Sequence, residues 1–240
     1  MNYIILAAGK GSRMGTLSRY MQKCMYPILD KPFLELILIS VIGNARFDRR
    51  NDTIVFVVGH MREQIQSYFG MAWQGVPLRY AIQEQALGTA HAVIVGASAA
   101  APDQACIIIQ GDVWAEPDYL ARLAGMHADN VLSVIRHECA FRHDERVDLD
   151  KGFITKAWQG SSSYVECGIW KFSPTMIGFM MSRKADEYRA LPSVQNAIEH
   201  GLAVAALERN EWIHLGGTEP SVKENLQSLL SFFSQFAYTW

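Results

Sequence analysis

Gly9-Lys10-Gly11-Ser12-Arg13, with Lys23 ten positions beyond the arginine, is a glycine-rich, basic segment suited to a phosphate chain. It follows the apolar run Ile4-Ile5-Leu6-Ala7-Ala8, so a buried strand would deliver backbone N–H groups to it. Glycines let the backbone approach phosphate oxygens closely, and Arg13 and Lys23 add charges that match an anionic triphosphate. Two further stretches carry usable chemistry. In Gln83-Glu84-Gln85-Ala86-Leu87-Gly88-Thr89 a glutamine amide, able to donate and accept at once, precedes a glycine that opens a helix, and the pair suits the edge of a pyrimidine base. In Gln110-Gly111-Asp112 a carboxylate ends an apolar run, where it can hold Mg²⁺ while waters and phosphate oxygens complete the octahedron. Each has an ordinary counterpart: a strand-to-helix turn, a capped helix with a surface glutamine, a strand-end aspartate capping a helix. The first loop meets neither the P-loop ending nor the three-glycine dinucleotide spacing.

The elements that must position these groups follow from periodicity. Phe33 to Ala45 carries apolar residues at helical spacing, Thr53 to Gly59 is a continuous apolar run, and Arg62 to Phe69 is a short helix. Leu78 to Ile82 and Ala105 to Ile109 are further strands around a small-residue helix over Thr89 to Ser98. This alternation predicts an α/β fold, a Rossmann-like, doubly wound, mostly parallel mixed sheet with helices on both faces. Ligands of such sheets collect at the carboxyl ends of strands, and Gly9, Gln83 and Asp112 all lie at such ends. After a helix at Pro117 to Ala128, strands at Val131 to Ile135, Phe153 to Trp158 and Val165 to Phe172 come with little helix between them, predicting a small antiparallel extension on the acceptor side. Helices are expected near Thr175 to Lys184, Ser193 to His200 and Pro220 to Tyr238. The last has one apolar face that either packs on its own domain or leaves a homodimer open.

Leu6-Ala7-Ala8-Gly9-Lys10-Gly11-Ser12-Arg13-Met14, then Lys23, then Pro27-Ile28-Leu29-Asp30-Lys31-Pro32, resembles the signature of the sugar-1-phosphate nucleotidyltransferases. The glutamine–glycine stretch resembles the base-reading segment of the N-acetylglucosamine-1-phosphate uridylyltransferase branch, and Gly111-Asp112 matches the family's Mg²⁺ aspartate. The resemblance implies that Leu6, Ala7, Ala8, Gly9, Gly11, Ser12, Gln83, Gly88 and Thr89 bind the nucleotide. It further implies that Arg13, Lys23 and Asp112 are catalytic, with Asp112 as metal ligand. Lys156 and Glu166 would contact the acceptor, although Thr155 and Ala157 replace the Glu-Lys-Pro setting of thymidylyltransferase relatives, and a water-facing strand glutamate is the plain alternative for Glu166. The clearest departure is His214, in Trp212-Ile213-His214-Leu215-Gly216-Gly217, where relatives carry a second metal aspartate. Imidazole is a poor Mg²⁺ ligand. The site would then hold Mg²⁺ through Asp112 and phosphates, recruit Glu211, take Mn²⁺ instead, or be catalytically weakened.

The implied reaction transfers a nucleoside monophosphate from a pyrimidine nucleoside triphosphate, UTP favoured, to a sugar 1-phosphate. Its alternatives are a cytidylyltransferase acting on phosphocholine or a phosphonate, and a nucleotide-binding regulatory subunit. With 240 residues, half of them hydrophobic, a single domain over 1–240 is expected, 1–114 holding the nucleotide and 115–240 the acceptor. The 22 basic and 24 acidic residues leave a formal charge of −2, so no global field recruits nucleic acid or an acidic membrane. Cys24, Cys106, Cys139 and Cys167 form no Cys-x-x-Cys pair, there is no basic leader, and no apolar run reaches the roughly 20 residues that span a bilayer, all of which predicts a cytoplasmic protein. His137-Glu138-Cys139 with His143-Asp144-Glu145 matches no zinc spacing, and no nucleophile elbow is visible.

Overall fold

A computed structural model describes residues 1–136, 146–182, 189–216, 227 and 229–234, with Arg13 described for its backbone alone. The first half contains strands β1 (Asn2–Ala7), β2 (Pro27–Ile28), β3 (Lys31–Pro32), β4 (Thr53–Val58), β5 (Ala72–Trp73), β6 (Val76–Ile82) and β7 (Cys106–Gln110). Helices α1 (Phe33–Gly43), α2 (Arg62–Phe69) and α3 (Thr89–Ser98) lie between them. The second half contains β8 (Val113–Trp114), α4 (Pro117–Gly125), β9 (Val131–Arg136), β10 (Arg146–Asp150), β11 (Phe153–Lys156), β12 (Tyr164–Phe172), α5 (Pro174–Met181), α6 (Ala190–Glu199), β13 (Ala205–Glu208) and β14 (Ile213–His214).

β1 is apolar throughout its middle because it is covered on both faces: Tyr3, Ile5 and Ala7 enter one core, and Ile4 enters the other. The first core is closed by α1, α2 and α4 through Leu34, Ile37, Ile65, Phe69 and Leu120. The second is closed by α3, α5 and α6 through Val93, Met176, Met180 and Val194. Among the described residues the sheet between them has ten strands in the order β10-β11-β13-β9-β12-β7-β1-β4-β6-β5. It is mixed: β7, β1, β4 and β6 run parallel, whereas β12 is antiparallel to both β7 and β9. β13 lies parallel to β9 and also pairs with β11. Its Ala-Ala-Leu-Glu is made of helix formers, and it is extended because Ala205 N–H donates to Asn130 O at 2.9 Å and Ala206 N–H to Gly152 O at 2.9 Å.

Tertiary contacts also move helix ends. α4 stops at Gly125, three residues short of the expected Ala128, where Met126 is already extended (φ −62°, ψ 136°). α6 starts at Ala190, three residues early, because Ala190 N–H donates to Thr89 Oγ1 at 3.0 Å. Most of the expected C-terminal helix lies outside the described residues, as do 137–145. Residues 229–234 are helical, with Leu229 and Phe233 buried in the first core and the Phe233 ring 5.1 Å from Trp114. No described helix is long and apolar enough to cross a membrane.

α3 meets the sheet at Gly96, where a Cβ would stand 2.4 Å from Ile4 Cγ2 and 2.8 Å from Val57 Cγ2. Gly96→Val is therefore expected to destabilise the fold by about 1–3 kcal/mol through overpacking. Thermal unfolding followed by circular dichroism checks this, and an unchanged midpoint would show that α3 can lift without cost.

Candidate active site

The chain runs outward from β1 through β4 to β6, then returns to the other flank of β1 as β7. The reversal places a crevice at the carboxyl ends of β1 and β7, where open α/β sheets bind ligands. A cleft of about 330 Å³ occupies it, lined among others by Ala8, Gly9, Gly11, Ser12, Gly88 and Asp112. Leu6, Ala7, Lys23, Gln83 and Thr89 line it too, so every sequence-predicted nucleotide residue is brought together. Close approach of the strands depends on Gly111, whose N–H donates to Leu6 O at 2.9 Å and whose absent Cβ would lie 2.7 Å from that oxygen.

Lys23 and Asp112, 89 positions apart, form an ion pair on the cleft wall. The lysine sits at the start of a 3-10 turn, Lys23–Met25, and its stem packs against Gly11, where φ is +62° and a Cβ would meet Lys23 Cβ at 2.9 Å. Sequence reasoning missed the residue that fixes this turn. Buried Gln22 donates through Nε2 to Ala7 O at 2.7 Å and Gly9 O at 3.2 Å, and its Oε1 accepts from Cys24 N–H at 2.5 Å. Glutamine is not a customary cap and its main partners lie 13 to 15 positions away, so no local pattern announces it. Cys24 adjoins the pair without being a nucleophile: burial, reinforced by the Asp112 charge, holds its thiol far above the ordinary range.

On the opposite wall Gln83 is buried, and its Nε2 lies 3.1 Å from Gly88 O and 3.0 Å from His91 Nδ1. Gly88 caps α3 at φ 118°, a conformation that favours glycine, and so brings bare backbone to the cleft. Thr89 divides its role, since its hydroxyl also accepts from α6.

The acceptor-side residues are placed differently. Lys156 is exposed on β11 and does not line the cleft. Glu166 is not a water-facing strand glutamate: it is buried, because a bulge in β12 turns its carboxylate back to accept from Gly168 N–H and, at 2.5 Å, from Trp170 Nε1–H. The Arg13 side chain lies outside the described residues. His214 does come beside the aspartate loop, since β14 pairs with β8 in the register His214 to Val113 and Leu215 N–H donates to Asp112 O at 2.8 Å. Its ring lies 4.5 Å from that of Trp212.

Among the described residues no three His, Cys, Asp or Glu side chains gather into a metal cage, and Asp112 is the carboxylate that lines the cleft. Mg²⁺ is commonly held by one or two carboxylates together with substrate phosphates. The donor set therefore fits an ion that arrives with a triphosphate.

The fold and this rim define a nucleotide-transferring class of protein: the family described as nucleotidyl transferase matches residues 2–227, and the chain belongs to it. The chain's relatives include bifunctional proteins GlmU. One from Methanococcus maripaludis strain C7 is 34% identical over 219 residues, covering 89% of this chain and 48% of the relative. Another, from strain C5, is 29% identical over 186 residues, 75% of this chain and 42% of its own length. The chain spans about half the length of the curated relatives it matches. A solved UDP-glucose pyrophosphorylase complexed with UDP-glucose superposes with a TM-score of 0.75 over 98% of both chains at 14% identity, a likeness of fold.

Proposed function

We propose that the chain transfers a uridylyl group from UTP to a sugar 1-phosphate, releasing pyrophosphate. The observation that carries this reading is the Lys23–Asp112 pair set in a glycine-lined cleft at the sheet's reversal point. The family match supports the reaction class, nucleotidyl transfer, and Gln83 with Gly88 supports a pyrimidine donor.

A phosphate oxygen of the acceptor attacks the α-phosphorus in line, a new P–O bond forms, and the bond to the bridging oxygen breaks as pyrophosphate leaves. Such chemistry needs positioning and charge neutralisation more than an acid–base pair. Backbone N–H groups of Gly9, Gly11 and Ser12 cradle the triphosphate, and Arg13 holds the departing pyrophosphate. Lys23 turns from Asp112 to the α-phosphoryl group, where its ammonium offsets developing charge. Asp112, so released, is the residue that would hold Mg²⁺; the ion would supply charge neutralisation and help align the two anionic reactants. Lys156 and Glu166 stay assigned to the acceptor side by resemblance.

Pyrophosphate release is the test, run with each common nucleoside triphosphate against a pool of sugar 1-phosphates in Mg²⁺. Release confined to UTP and lost in Asp112→Asn is the expected result. Silence with every donor in both Mg²⁺ and Mn²⁺, and with phosphocholine and phosphonates as acceptors, while nucleotide still binds, would replace this reading with a regulatory subunit.

A further inference from the structure

We propose that His91 is a positioning residue that sets the polarity of the Gln83 amide, so that Gln83 faces the nucleotide base as an acceptor only. The inference rests on the reading of the cleft as a pyrimidine nucleotide site. It begins with an unambiguous partner. Gly88 O is a backbone carbonyl that cannot donate, so the end of the amide 3.1 Å from it is the nitrogen. That nitrogen also lies 3.0 Å from His91 Nδ1. Its two hydrogens are thus taken by the carbonyl and the imidazole, which holds the ring in the tautomer protonated on Nε2. Because Gln83 lines the cleft with both donors committed, the atom left for a ligand is Oε1.

The consequence is a choice between bases. Uracil and thymine present a ring N3–H, which an amide oxygen accepts. Cytosine presents an unprotonated N3, and two acceptors facing each other leave both unsatisfied. Without His91 only one hydrogen bond would oppose a flip that turns the amide nitrogen to cytosine N3. His91 stands on the first turn of α3, so the helix that carries Gly88 at its cap also carries the group that orients the base reader.

The experiment compares kcat/KM for UTP and CTP, and equilibrium binding of both, in the intact chain, His91→Leu and His91→Asn. Leucine keeps bulk and removes the acceptor, whereas asparagine returns an oxygen near the place of Nδ1. The UTP-to-CTP ratio is expected to fall about tenfold in His91→Leu, the equivalent of one hydrogen bond, and to be restored in His91→Asn. A residue that merely stabilised α3 would lower both nucleotides alike and leave the ratio unchanged, which would overturn the proposal. Imidazole ¹⁵N shifts of the unsubstituted protein give a second reading independent of variant folding: an Nε2–H tautomer is expected, and an Nδ1–H tautomer overturns the assignment. Failure of the wider reading looks different, because the unsubstituted chain would then bind neither nucleotide and both conclusions would fall together.

Discussion

Lys23→Ala and Asp112→Asn are each expected to lower kcat by about 10²-fold or more while leaving the fold intact, because each removes a charge aligned with the transition state. The two effects separate by location. The side chains are 13% and 25% exposed and line an open cleft, where water can reach either group when its partner is removed, so the cost to stability is expected to stay at about 1 kcal/mol. Thermal midpoints close to that of the unsubstituted chain should therefore accompany the loss of turnover. In the resting protein each group neutralises the other, whereas in the proposed mechanism they would serve different partners, phosphate for the lysine and a metal ion for the aspartate. Removing both should cost less than the product of the single losses, because contacting residues that act as a unit are not additive. Arginine at position 23 is not a conservative rescue, since a planar fork cannot replace a compact ammonium carried on a stem packed against Gly11. Pyrophosphate release at saturating UTP measures Lys23→Ala, Asp112→Asn, the double variant and Lys23→Arg. Near-normal turnover in either single variant would remove that residue from the chemistry.

What the sequence makes legible here is the rim. Gly9 and Asp112 follow apolar runs whose composition marks buried parallel strands, Gln83 ends the alternating strand β6, and the fold sets β7, β1, β4 and β6 next to one another in that order. Local grammar reaches that far because strand ends are announced by glycine and by the break in apolar residues. It reaches less far where partners are distant in the chain. β13 is written in helix formers and becomes a strand through the edges of β9 and β11. The early start of α6 depends on a hydroxyl about a hundred positions away. Glu166 alternates like a solvent-facing strand residue, yet a bulge with Gly168 at φ +79° folds its carboxylate inward. His214 illustrates a third case: the family resemblance marks its sequence position, and the pairing of β14 with β8 sets it opposite Val113, next to the Asp112 loop.

Gln22→Leu is expected to impair catalysis nearly as much as loss of Lys23, although Gln22 carries no charge. Leucine of similar length fills the space but leaves Cys24 N–H without the Gln22 oxygen, and Ala7 and Gly9 carbonyls without its nitrogen. Each buried group left unsatisfied costs about 1–3 kcal/mol, so the turn bearing Lys23 would relax to find other partners or water. A displacement of about 1 Å at the reacting groups costs on the order of 10²-fold in rate, because the effective concentration of an aligned charge depends steeply on geometry. The effect should therefore appear chiefly in kcat at temperatures well below the unfolding midpoint, with a smaller rise in the KM for UTP, since most of the nucleotide-lining backbone is untouched. Gln64, whose Oε1 accepts from Gln22 N–H at 2.8 Å, supports the same turn from outside the cleft, and Gln64→Ala should give a weaker version of the same kinetic change. Steady-state kinetics with a parallel thermal melt separate misplacement from unfolding. A Gln22→Leu protein that melts lower but turns over at full rate would show that Lys23 finds its position without this buried amide.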